Sequence, residues 1–96
     1  LRFEWDPAKA TSNLRKHGIG FETAARVFAD PLALTEYGGV EGGEHRWNTI
    51  GMIGTSLLVV VIHTDRYDGP IEVVRIISAR PADRKEMRRY EQDGHL

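Results

Sequence analysis

LRFEW at residues 1–5 alternates, with Leu1, Phe3 and Trp5 on one side and Arg2 and Glu4 on the other. That period of two predicts a short half-buried strand. Asp6-Pro7 then opens a helix, Asp6 accepting from the free N–H groups of the first turn and Pro7 fitting the first helical position. The helix is predicted through about His17, with Gly18 as its left-handed cap and Ile19 as the accompanying apolar contact. Phe21, Ala24, Ala25 and Phe28 repeat at i, i+3, i+4 and i+7, one apolar face of a second helix at about 20–29. Asp30-Pro31 ends it.

Strands are predicted at 31–37, 45–53, 57–64 and 71–80. GGVEGG at 38–43 reads as a flexible loop, and Gly54-Thr55 and Asp68-Gly69-Pro70 read as turns. The unbroken run from Leu57 to Ile62 implies a central strand covered on both faces. Asp83 with Glu86 three residues later makes a capping box for a last helix. Met87 and Tyr90 are its only large apolar side chains, so it is expected to pack weakly or to wait for a partner. The pattern is β-α-α-β-β-β-β-α, an α+β fold in one domain over residues 1–96. Two early helices cover one face of a mainly antiparallel sheet, and a C-terminal helix follows.

Composition narrows the class. No cysteine is present, so neither a disulfide nor a thiolate site can form, which fits a reducing cytosol. No apolar run approaches the ~20 residues that span a bilayer. Polar and acidic residues within the first six positions are unlike a signal peptide. A cytoplasmic protein with no membrane partner is expected.

The formal charge of −1 hides a division along the chain. Residues 1–18 carry four Lys/Arg against two acids, and residues 19–45 carry five acids against Arg26. Residues 75–90 carry six cations against Asp83 and Glu86. If the two basic ends meet in space they form a patch that attracts phosphate; otherwise they are solvated surface charge.

Several stretches, in order and at regular spacing, carry a resemblance: FEWDPAK (3–9), NLRKHGI (13–19), F-E-x-A (21–24) and VFADPLAL (27–34). They are followed by Glu44-x-Arg46, VVVIHT (59–64), RIISAR (75–80), RKE (84–86) and Tyr90. Together they resemble the BrnT family, toxins of bacterial type II toxin–antitoxin pairs. The resemblance implies a RelE-like compact fold and a ribosome-independent RNA-cleaving activity that inhibits translation. It also implies neutralisation by a BrnA-like antitoxin with a ribbon-helix-helix domain, and contact with promoter DNA only through that complex. The glycine-rich segment EYGGVEGG (36–43) departs from the family pattern.

RNA is cleaved without a metal when the ribose 2′-OH attacks the adjacent phosphate, leaving a cyclic phosphate and a free 5′-OH. That chemistry needs a tunable acid or base and rigid cations. His63, Arg75, Arg80, Arg84 and Tyr90 are the candidate catalytic residues. Lys9, Lys16, His17, Arg46, Lys85 and Arg88 are the candidate RNA contacts. Each has a structural alternative: His63 as a hydrogen-bonded core histidine, Arg75 as an ion pair with an acid such as Glu44, Tyr90 as packing for the last helix. Strand parity sets Arg75 and Arg80 on opposite faces unless a bulge intervenes. Trp5 and Trp47 read as core. No cofactor and no metal are expected, because His17, His45, His63 and His95 are scattered without metal-ligand spacing. A second reading is a non-catalytic RNA- or antitoxin-binding module acting in an autoregulatory repressor complex.

Overall fold

The computed structural model describes residues 1–93; His95 lies outside them. The elements run β1 (Arg2–Glu4), α1 (Pro7–His17), α2 (Phe21–Ala24), a 3-10 segment (Ala25–Ala29), β2 (Leu34–Glu41), β3 (Glu44–Ile53), β4 (Leu57–Asp68), β5 (Ile71–Pro81) and α3 (Arg84–Asp93). The five strands form one sheet in the order β1-β5-β4-β3-β2. β2 to β5 are an antiparallel meander, and β1 lies parallel to β5 with Phe3 opposite Val74.

Local chemistry fixes the helix ends. Asp6 Oδ1 accepts from the Ala8 N–H at 3.0 Å, and Gly18 closes α1 at φ 72° with its N–H on the Leu14 carbonyl. The second helix is α-helical for only one turn and then tightens into the 3-10 segment before Asp30-Pro31. A tightened last turn is a common way to end against a proline. At α3 the capping box forms in both directions, Glu86 N–H to Asp83 Oδ1 at 2.8 Å and Asp83 N–H to Glu86 Oε1 at 2.9 Å.

The loop expected at 38–43 is instead strand. β2 and β3 pair out to Glu41 opposite Glu44, and only Gly42 and Gly43 turn the chain, at φ 60° and 80°. Positive φ at both central residues is the hairpin turn whose twist matches that of the strands. Gly38 and Gly39 sit where the register shifts between Tyr37 and Val40, so they form a bulge rather than a loop.

β4 is central, and Val59, Val60 and Val61 are all fully buried although their side chains alternate between faces. On one face Phe21, Ala24 and Val27 pack with Val59, Val61, Val74, Ile76 and Ala79. On the other, Tyr90 and Ala82 pack with Ile50 and Val60. α3 is therefore not loosely held, despite its polar sequence. Both sheet margins are sealed by side chains. Asn13 Oδ1 accepts from the Ala79 N–H at 3.1 Å and its Nδ2 donates to the Ala79 carbonyl at 2.9 Å, standing where β1 no longer pairs with β5. Asp30 Oδ2 accepts from the Met52 N–H at 2.8 Å, beyond the last β2 pairing at Leu34 and Ile50. Buried backbone groups left without such partners would cost about 1–3 kcal/mol each.

Candidate active site

The site begins with an extra residue. Ile62 faces Ser78 and His63 faces Ile76, so Ile77 has no opposite number on β4. One bulged residue switches the parity of the strand. Val74, Ile76 and Ala79 consequently all join the helix-covered core. By the same shift Arg75 and Arg80 both project from the other face, across a register that would otherwise have separated them.

A second irregularity opens a cleft. β3 and β4 are bridged only from Trp47 opposite His63 to Ile53 opposite Leu57. Beyond Trp47, β3 continues with β2 while β4 continues with β5. The parted strand ends bound a cleft of about 330 Å³. Glu44, His45 and Trp47 line it from β3, Thr64, Asp65 and Arg66 from β4, Arg75 from β5 and Glu4 from β1. Arg66 pairs with Glu4, whose carboxyl is held below its usual range by that hydrogen bond against the opposing effect of burial. Arg75, half-buried in this wall, forms no ion pair among the described residues. The alternative of an ion pair with Glu44 is not formed among the described residues, although the two share the cleft.

His63 is 1% exposed and lies on the helix-covered face, edge-on to the Phe28 ring at 5.0 Å. It is the third member of a hydrogen-bonded row across three strands. Thr35 Oγ1 meets Thr49 Oγ1 at 2.8 Å, Thr49 Oγ1 meets His63 Nε2 at 2.7 Å, and His63 Nδ1 meets Asp65 Oδ1 at 2.7 Å. An ionised carboxylate only accepts, so Nδ1 donates to Asp65. Thr49 Oγ1 bridges Nε2 and Thr35 Oγ1, so the row is continuous from Thr35 to Asp65. The imidazole does not reach the cleft; Asp65, which it orients, does.

The family model for the ribonuclease toxin BrnT of type II toxin–antitoxin systems matches residues 5–86. The chain belongs to the BrnT family. No curated protein matches it. Among solved structures it is similar to the 1.1 Å crystal structure of the Brucella abortus ribonuclease toxin BrnT, with a TM-score of 0.62 and 24% identity. That likeness covers 88% of this chain and 99% of the other, and at this identity it speaks for the fold.

In this BrnT chain the other expected residues fall in separate places. Arg80 lies fork to fork with Glu86, which is itself buried. That pairing holds the Glu86 carboxyl below its usual range against the cost of burial, and raises Arg80. Tyr90 is buried, and its hydroxyl donates to Asp30 Oδ2 at 2.6 Å. Burial first, and then that bond, push the phenol up to about 12. Burial opposes the charge on Asp30, yet donors from Met52, Tyr90 and Leu32 outweigh it and hold the carboxyl below its ordinary value. Arg80 and Tyr90 thus anchor α3.

Arg84, Lys85 and Arg88 stand exposed on α3, while Arg89 pairs with Glu36 at 2.7 and 3.0 Å. Lys9, Lys16 and His17 gather with Ser12 and Ser78 around a shallow hollow of about 270 Å³ where α1 meets β5. α1 and α3 pack on opposite faces of the sheet, so the two basic ends do not merge into one patch. Arg46 pairs with Glu41 at 3.2 Å, and its Nε is buried without a hydrogen-bond partner. His45, Trp47, Asp65 and Arg66 belong to the cleft and were not singled out as site residues from sequence. Their only signal was spacing: His45 and Trp47 alternate in phase with Thr49, as Asp65 does with His63.

Proposed function

We propose that this BrnT-family chain is an endoribonuclease toxin that cuts RNA without a metal ion, at the cleft around Arg75. The observation that carries the reading is a guanidinium without an ion-pair partner among the described residues, in a cleft it shares with Asp65 and His45. Arg75 would hold the scissile phosphate and stabilise charge on its non-bridging oxygens. The ribose 2′-oxygen attacks phosphorus and the bond to the 5′-oxygen breaks. One proton leaves the 2′-OH and one reaches the departing 5′-oxygen, giving a 2′,3′-cyclic phosphate and a 5′-hydroxyl. Asp65 and His45 are the cleft groups that exchange these protons. His63 acts through Asp65 as a positioning residue.

Lys9, Lys16, His17, Arg46, Arg84, Lys85 and Arg88 serve as contacts to the flanking RNA backbone, and Arg80 and Tyr90 serve by keeping α3 in place. In this reading residues 1–96 act as one RelE-like toxin domain in the cytoplasm and inhibit translation by cutting RNA. Among the described residues no helix is long and apolar enough to cross a membrane.

A BrnA-like ribbon-helix-helix antitoxin is the proposed partner, with promoter DNA reached only through the complex. A groove of about 510 Å³ beside α3 supports a protein partner. Leu32, Leu57 and Met87 are exposed along it, next to Met52 and Leu58. The reading is tested with total RNA in EDTA, comparing the wild type with Arg75→Ala at matched folded fraction. Cleavage leaving 5′-hydroxyl ends is expected, slowed about 100-fold or more in the variant. Intact RNA with folded wild type would overturn it.

A further inference from the structure

Tyr37 is 54% exposed, yet its ring is firmly held. Its hydroxyl lies 2.8 Å from His45 Nδ1, and its ring centroid lies 5.1 Å from Trp47, nearly edge-on, and 5.7 Å from His45. Tyr37 and Trp47 are direct cross-strand partners on β2 and β3, and His45 is two residues from Trp47, so the three side chains share one face. None belongs to either core cluster, so Trp47 is not the core residue its type suggested. Trp47 and His45 also line the cleft that contains Arg75. Trp47, opposite His63, and His45 stand on the helix-covered side of β3 and Arg75 on the other side of β5, so the aromatic pair and a half-buried cation without an ion-pair partner among the described residues meet the cleft from its two walls.

We propose that Tyr37, Trp47 and His45 form a nucleobase-stacking subsite, which receives one unpaired base of a single-stranded RNA whose phosphate Arg75 holds. The inference rests on the reading of the cleft as an RNA-cleaving site, and it adds the substrate class. A nucleotide presents an anionic phosphate and an apolar ring face a few ångströms apart, and the cleft offers a cation on its β5 wall and Trp47 and His45 on its β3 wall. Stacking of a base on a protein aromatic contributes about 1–3 kcal/mol. A base inside a duplex is already stacked on both sides and has no free face to offer, which restricts the subsite to unpaired RNA. The hydroxyl bond from Tyr37 to His45 fixes the ring before RNA arrives, so little freedom is lost on binding.

The test uses the full chain and a short 2′-O-methyl oligonucleotide, which lacks the attacking hydroxyl and is not cut. Trp5, the other tryptophan, packs against Phe21 at 6.0 Å. A change in emission on adding the single strand is expected in the wild type and should vanish in Trp47→Phe. Tyr37→Ala should weaken single-strand binding roughly 5- to 150-fold, the equivalent of one stacked base. The same sequence as a duplex should bind less tightly than the single strand. Equal affinity for both forms, or undiminished binding by Tyr37→Ala, would overturn the subsite. In a cutting assay Tyr37→Ala should raise KM more than it lowers kcat. A wild type that cuts RNA beside an unchanged Tyr37→Ala removes the subsite and leaves the nuclease. A wild type that never cuts, but whose Trp47 signal answers to single strands, removes the nuclease and leaves the subsite.

Discussion

Arg80 and Glu86 meet fork to fork, Nη1 on Oε1 at 2.7 Å and Nη2 on Oε2 at 2.8 Å, while Oε1 also takes the Asp83 N–H. One carboxylate thereby ties the end of β5 to the start of α3. Glu86→Gln keeps the shape and discards the charge. It should cost about 1–3 kcal/mol and raise amide exchange across α3 before the sheet is affected. Urea unfolding and hydrogen exchange measure the two effects; unchanged stability would contradict the anchoring role.

Acid should act on the same helix. The carboxyls of Asp30 and Glu86 both titrate below their ordinary values in the folded chain. Groups shifted this way add stability above their unfolded pKa and lose it as pH falls through the folded one. Thermal midpoints should therefore hold near neutrality and decline as pH drops below about 4, the ordinary carboxylate range. Asp30→Asn combined with Glu86→Gln should begin lower and decline less steeply.

Alkali should act through Tyr90. Its folded pKa of about 12 lies above that of a free phenol, so its contribution is complete below pH 10 and is lost between 10 and about 12. Tyr90→Phe should remove that alkaline limb and cost roughly 1–2 kcal/mol at neutral pH, because Asp30 loses one donor. Equilibrium unfolding at pH 8 and pH 11 separates these effects.

The buried row through His63 makes a different prediction. Thr49→Val leaves Nε2 without its hydrogen-bond partner inside the core and should cost about 1–3 kcal/mol. His63→Ala also opens a cavity and should cost about 2–4 kcal/mol. At matched folded fraction Thr49→Val should retain most RNA cutting, whereas Asp65→Asn should lose it. Full cutting by Asp65→Asn would remove the carboxylate from the proposed chemistry.

Local chemistry was legible in the sequence, and register was not. Asp6-Pro7, Gly18, the Asp83–Glu86 box and the apolar run of β4 each work within a few residues, and each acts as its residue types dictate. The cleft depends on where strands meet. The switch of parity at Ile77 and the parting of β3 from β4 after Trp47 leave no mark in composition. The role of Tyr90 was hidden in the same way, since its partner Asp30 lies 60 residues earlier. GGVEGG misled because two glycines that form a tight turn and two that form a bulge look alike as a string.

The parallel pairing of β1 with β5 also sets a clock. Among the described residues β1 pairs with Val73 to Arg75 alone, and the buried amide of Asn13 waits for Ala79. β1 and the Asn13 side chain therefore wait for β5 although the 3-10 segment already has β3 to pack on, and the wall carrying Arg75 is completed by that same late strand. A chain stopped before β5 would lack the wall that carries Arg75, so the cleft can form only after that strand has been made.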